Sequence, residues 1–176
     1  MEGECAVVVL GIDPGYAIVG WGVIDFNGSV YRPKAFGAIT TEAHTDFNLR
    51  LQQIYDDMLT ILKNAKPDAM AIEKLFFTTN TTTAIAVAEA RGVILLAAQQ
   101  CGVKVFEYTP LQVKVAVTGY GKAKKPQVME MTRRLLNLKE VPKPDDTADA
   151  LAIAICHTHA AGSSLRRVML NGGNTR

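Results

Sequence analysis

The chain has 176 residues, 48% of them apolar and 20% charged, with 14 Gly and 7 Pro spread along it. That composition describes one domain large enough to bury a core unaided and excludes a small scaffold stapled by disulfides or metal. The formal charge of +2 hides a segregation: residues 1–103 carry 7 basic and 11 acidic side chains, residues 104–143 carry 9 and 3, and residues 144–176 carry 3 and 3. The basic middle stretch is a candidate footprint of a polyanion, with a solvated helix face as the plain alternative.

Residues 5–12 are almost all β-branched or aliphatic and run into Asp13-Pro14-Gly15, a turn signal, so a buried strand ends on a carboxylate. Residues 18–26 and 30–39 read as two more strands joined by the hairpin signal Asn27-Gly28, giving three antiparallel strands. From Asp46 to Ala65 apolar residues fall at helical spacing until Lys66-Pro67-Asp68. Residues 69–72 form a short strand that delivers Glu73 at its end. Asn80 and the threonines after it cap an Ala-rich helix through Gln99, and residues 103–108 are a fifth strand. Thr109-Pro110 supplies a cap and first-turn proline, Gly119-Tyr120-Gly121 breaks that helix, and residues 126–136 resume it. After the breaker Val141-Pro142-Lys143-Pro144, a last helix covers residues 145–159, and Gly162-Ser163-Ser164 opens a tail expected to be disordered. No repeat or linker divides the chain. Hairpin strands followed by alternating helices and strands predict an α/β fold with a mixed sheet.

Cys5, Cys101 and Cys156 are odd in number and widely spaced among apolar residues, which predicts buried thiols in a reducing compartment and gives no zinc spacing. The longest apolar runs, residues 6–12 and 93–98, are far shorter than the ~20 needed to span a bilayer, and the first residues lack a basic targeting region. A cytoplasmic protein with no membrane segment is expected.

Four acids stand where this fold gathers them at one edge: Asp13 after the first strand, Glu73 after the fourth, and Asp146 and Asp149 at the start of the last helix. Their surroundings are apolar, and carboxylates there need a neutralising charge. No Lys or Arg adjoins Asp146 or Asp149 in sequence, and hard oxygen donors without His or Cys select Mg²⁺ or Mn²⁺. On a helix Asp149 shares a face with Asp146 and with Asp145, and spacing does not choose between them. Plainer readings exist for each: Asp145 as the helix cap after Pro144, Asp146 as an acid answering the helix dipole, Asp13 as the first residue of a turn. Glu73, between Ile72 and Leu75-Phe76-Phe77, has no such alternative, and the four together outweigh their separate explanations.

The stretch Leu10-Gly-Ile-Asp-Pro-Gly-Tyr-Ala-Ile-Val-Gly-Trp-Gly-Val-Ile24 resembles the opening of the RuvC family of crossover (Holliday) junction endodeoxyribonucleases. So do Ala71-Ile-Glu-Lys-Leu-Phe-Phe77, Ala90-Arg-Gly-Val93, Tyr108-Thr-Pro-Leu-Gln-Val-Lys114, Val117-Thr-Gly-Tyr-Gly-Lys122 and Asp146-Thr-Ala-Asp-Ala-Leu-Ala-Ile-Ala-Ile-Cys-His157, in family order over about residues 1–160. The resemblance implies an RNase H-like fold over residues 1–161, with residues 162–176 as the tail. It also implies a homodimer that nicks four-way DNA junctions in pairs, and a junction-binding and branch-migration complex as partner. Its catalytic, metal-binding acids fall on Asp13, Glu73, Asp146 and Asp149, which selects Asp146 over Asp145.

The chemistry so implied is in-line attack of water on a phosphodiester, with two Mg²⁺ (or Mn²⁺) ions ~4 Å apart bridged by Asp13 and 5′-phosphate and 3′-hydroxyl products. Lys114 and Lys125 match basic residues near the scissile phosphate. Lys122, beside the Gly119-Tyr120-Gly121 breaker, is a further candidate DNA contact, and Phe76 is a candidate for stacking on an unpaired base, with a core position as its alternative. His157 and His159 read as packing or surface residues. Two rival functions stand further off. Asp13-x-Gly15 with Gly20 and Gly22 also resembles the phosphate loop of sugar kinases and actin-like ATPases, but those enzymes need two such domains. A junction-binding protein without catalysis would lack one of the acids, whereas an RNase H-like nuclease of broad specificity would share all four.

Overall fold

The computed structural model describes residues 6–75 and 81–171. Strands β1 (Val7–Asp13), β2 (Ile18–Phe26) and β3 (Tyr31–Thr40) form an antiparallel meander, and β4 (Ala69–Glu73) and β5 (Lys104–Tyr108) continue the sheet in parallel with β1. The order β3-β2-β1-β4-β5 is the five-stranded mixed sheet expected from the sequence. Asn27 closes the β2–β3 turn by accepting the Val30 amide on its side chain at 2.9 Å, and Gly28 takes φ 91°, a conformation that favours glycine.

Side-chain alternation sorts the sheet into two faces. Leu10, Ile12, Met70 and Ile72 pack with Ile54, Met58 and Leu62 of α1 (Phe47–Ala65) and Ala90 and Ile94 of α2 (Thr81–Gln100). Val9, Ile24 and Ala71 pack on the opposite face with Val113 and Val117 of α3 (Pro110–Thr118), Val128 of α4 (Lys125–Leu135) and Leu151 to Cys156 of α5 (Asp145–Asn171). Glu73 is two residues beyond Ala71 and Asp13 four beyond Val9, so the same alternation turns both acids towards α5.

The local signals for α1 and α3 act as their chemistry predicts. The Asp46 side chain accepts the Asn48 amide, and Lys66 ends α1 in the left-handed region. Thr109 and Gln112 form a reciprocal capping box at 3.2 and 2.8 Å before Pro110, and Gly119 closes α3 at φ 72°. Two readings change. The last helix does not stop at residue 159: its backbone continues to Asn171, because the helix formers Leu165 to Leu170 outweigh the Gly162-Ser163-Ser164 interruption. Asp145 lies within the first turn of α5 and directs its carboxylate to Lys143 Nζ at 2.7 Å, so it pairs with a neighbour where a cap was expected. Cys5, Phe76, Phe77 and Asn80 fall outside the described residues.

Helix α5 lies against a strip of glycines. Gly11 pairs with Gly22, and Asp13 with Gly20, across β1 and β2. A Cβ on Gly11 would collide with the Ala150 carbonyl and lie 2.8 Å from the Ala154 amide nitrogen, and one on Gly20 would collide with the Asp146 carbonyl. Gly11→Ala is therefore expected to destabilise the protein by about 3 kcal/mol or more through overpacking against backbone. Gly92→Ala, exposed on α2 with open space where its Cβ would stand, is expected to be neutral or stabilising by up to about 1 kcal/mol. Chemical denaturation of the two variants beside the parent measures both effects.

Candidate active site

Three separate stretches of chain bring acids to one edge of the sheet. Asp13 ends the central strand, Glu73 ends its parallel neighbour β4, and the first two turns of α5 carry Asp146 and Asp149. Glu73 and Asp149 line a cavity of about 260 Å³ with Lys114 of α3, Lys125 of α4 and the apolar side chains of Pro110, Val113, Val128 and Ile153. Asp13 and Asp146 are not lining residues of this cavity, yet both belong to its charge cluster. Asp13 is pushed up to about 8, first by burial and then by the charges of Glu73, Asp149 and Asp146, with Lys125 opposing. Glu73 is also raised, by burial and then by Asp149, while a hydrogen bond with Asp13, Lys125 and Lys114 act against the shift. The two carboxyl groups share that hydrogen bond at the edge of the sheet.

Lys125 Nζ lies 2.8 Å from Asp149 Oδ2, and this hydrogen bond is the main reason that its ammonium is held more strongly than usual. Among the described residues no three His, Cys, Asp or Glu side chains converge as a ready cation cage. Asp149 is turned to Lys125, which supplies the positive charge that the cluster needs. The donor set nevertheless fits a hard divalent ion: four carboxylates at one edge, with no imidazole or thiolate among them.

Lys114 and Lys125, separated by a loop and a helix boundary, meet at the same cavity. Lys122 is exposed on the α3–α4 loop and does not line it. His157 is a buried packing residue, its Nδ1 2.8 Å from Tyr108 Oη and its pKa lowered by burial. One contact had no clear sequence signal: Arg91 of α2 donates Nε to the Glu73 carbonyl at 3.4 Å and pairs through Nη2 with Glu107. The only hint was an arginine set in an Ala-rich helix within the block Ala90-Arg-Gly-Val93.

A mixed sheet of this order with helices on both faces is an RNase H-like fold, here with carboxylates at the ends of its central strands and on the facing helix. A family model for "Crossover junction endodeoxyribonuclease RuvC" matches residues 9–157, and the chain belongs to that family. It is 61% identical over 149 residues to the RuvC crossover junction endodeoxyribonuclease of Brevibacillus brevis, covering 85% of this chain and 90% of that one. It is 50% identical over 167 residues to the Clostridioides difficile protein of the same name, covering 95% and 98%. Among solved structures, Thermus thermophilus RuvC in complex with a Holliday junction substrate superposes with a TM-score of 0.86 at 38% identity, over 90% of this chain and 96% of that one.

The raised Asp13 carboxyl has a consequence for stability. Because its pKa in the fold, about 8, exceeds its ordinary value of 3.8, the folded state disfavours the ionised form. Stability linked to this group is complete below pH 4 and is lost as pH rises through 8. Without divalent cations, Asp13→Asn is expected to match the parent near pH 4 and to exceed it above pH 8, by a few kcal/mol as an order of magnitude. Denaturation curves of both proteins in chelator across this range check the crossover, and a gap that shrinks with rising pH contradicts it.

Proposed function

We propose that Asp13, Glu73, Asp146 and Asp149 form the catalytic centre with which this member of the crossover junction endodeoxyribonuclease family cuts four-way DNA junctions. The observation that carries the reading is the gathering of these acids from three separate stretches of chain beside a cavity walled by Lys114 and Lys125. RuvC-family nucleases depend on a divalent metal. In this chain the four carboxylates would hold two Mg²⁺ ions, with Mn²⁺ as a substitute, which when bound activate water and stabilise the departing 3′ oxygen. Asp13, which feels the charge of all three other acids, would be central to holding the ions. Lys114 and Lys125 hold the scissile phosphate and offset the repulsion between a phosphodiester and four carboxylates. Lys122 meets a neighbouring phosphate from the exposed loop, and Phe76, three residues after Glu73, stacks on an unpaired base.

A four-way junction requires two cuts for resolution, and a homodimer supplies two centres related by symmetry. Helix α2 supports this reading: Ala90 and Ile94 are buried, while Ile85 and Leu96 stand exposed on the same helix, leaving apolar surface for a second copy. A junction-binding and branch-migration complex would deliver the substrate, in the cytoplasm.

The test is cleavage of a synthetic four-way junction with linear duplex of the same sequence as control. Symmetric nicks confined to the junction are expected. Asp13→Asn, Glu73→Gln, Asp146→Asn and Asp149→Asn should each lower the single-turnover rate by ~10² or more with junction affinity within about threefold, since the phosphate contacts remain. Asp145→Asn should keep most of the activity, and near-parental cleavage by any of the other four removes that residue from the centre. Separately, Leu96→Lys should shift the protein from dimer to monomer in sedimentation equilibrium. An unchanged mass in that variant would place the dimer contact elsewhere.

A further inference from the structure

We propose that Arg91 is a positioning residue for Glu73, acting through the peptide that joins Glu73 to Lys74. The inference rests on the reading of Glu73 as part of the catalytic centre and adds how its main chain is held. β4 ends at Glu73, and its ladder with β1 stops one residue earlier, at Ile12 and Ile72. On the β5 side the Lys74 amide donates to the Tyr108 carbonyl at 2.8 Å. The other end of that peptide plane, the Glu73 carbonyl, has no strand partner from β1 and is met by Arg91 Nε at 3.4 Å. Both polar groups of one peptide are thus gripped, one by a strand and one by a helix.

The choice of arginine follows from the geometry. The Arg91 side chain is only 14% exposed, so its charge needs a partner, and Glu107 provides one through Nη2. A planar guanidinium can serve that carboxylate and still direct Nε to a carbonyl, whereas an ammonium offers no such fixed fork. Glu107 adjoins Tyr108, so the residue that anchors Arg91 and the carbonyl that anchors Lys74 sit together at the end of β5. Arg91 comes from α2, on the face of the sheet opposite α5, and braces the catalytic edge from behind.

The alternative is a brace between α2 and β5 with no bearing on Glu73. Three variants separate the two: Arg91→Ala, Glu107→Gln and the double variant Glu73→Gln with Arg91→Ala. Each is followed by single-turnover junction cleavage at saturation, junction Kd, Tm and amide exchange at Lys74. Arg91→Ala is expected to lower the rate about 10- to 100-fold with Kd within about threefold, as a displaced catalytic group does. Lys74 exchange should quicken in the same variant. Glu107→Gln, which leaves the carbonyl contact in place, should lose about threefold or less, and the double variant should be no slower than Glu73→Gln alone. Equal losses in Arg91→Ala and Glu107→Gln, additive losses in the double variant, or a near-parental Arg91→Ala rate each overturn the proposal. Should Arg91→Ala not fold, Arg91→Lys replaces it, with a rate loss of at least about threefold expected and a parental rate overturning. If Glu73→Gln itself cleaves normally, the catalytic reading fails and not the bracing of Glu73.

Discussion

Backbone meets backbone where α5 crosses β1 and β2, and the depth at which Asp146 and Asp149 approach the strand-end acids follows from that contact. Side chains at residues 11 and 20 would push the helix off the sheet and one at 22 would displace the Leu151 side chain, and glycine at all three removes them. The helix then sits low enough that its first turns, not its middle, stand over the end of β1. Asp146 places its own carbonyl against Gly20, the strand partner of Asp13. Sheet register and helix depth are therefore coupled, and a helix lifted by one methyl group would separate Asp146 and Asp149 from the strand-end acids. The buried α5 stretch Ala150 to Cys156 matches this role, since alternating small residues permit the close approach while Leu151, Ile153 and Ile155 fill the core.

Gathering acids in this way is opposed by their charge. Asp13 is shielded from water at the end of a buried strand and feels three other carboxylates, so it keeps a proton near neutral pH. Two devices offset the rest: the Asp13–Glu73 hydrogen bond and the Lys125–Asp149 ion pair. Lys125 is itself about half exposed, so its pairing with Asp149 is screened by solvent and easily exchanged. A group that neutralises an acid and remains free to leave it suits the proposed site, in which a cation and a phosphate would take its place. Lys114, half-buried on α3, opposes the charge of Glu73 from the other wall and completes the balance.

Much of this was legible in the chain because it depends on local signals. Asp13 and Glu73 could be placed because each ends a strand whose apolar run is unambiguous, and alternation from Val9 and Ala71 gives their face. The hairpin at Asn27-Gly28 and the capping box at Thr109 rest on residues a few positions apart. What escaped depends on tertiary approach. The Lys125–Asp149 pair spans 24 positions in sequence and exists only because α4 packs on α5. Arg91 reaches Glu73 across a loop and a helix, with no periodicity to announce it. The extent of α5 was underread for a different reason: Gly162-Ser163-Ser164 is a credible stop, yet helix propagation beyond a long packed segment requires no new nucleation.

The two faces of the sheet thus carry different duties towards the same four acids. On the α5 face, glycines fix depth and Glu73 and Asp149 open on a cavity; on the α2 face, large aliphatic side chains back the sheet. A catalytic edge built only from strand ends would be its least constrained part, since ladders lose partners there. In this chain the β1–β4 ladder ends one residue before Glu73, whereas β5 still holds Lys74 and Arg91 still holds the Glu73 carbonyl. The Asp13–Glu73 hydrogen bond ties the ends of β1 and β4 together, and these main-chain contacts hold Glu73 from behind without adding charge to the cavity. The end of β4 is therefore fixed by backbone geometry behind it, which leaves Lys114 and Lys125 at the cavity as the groups that balance the charge of the acids.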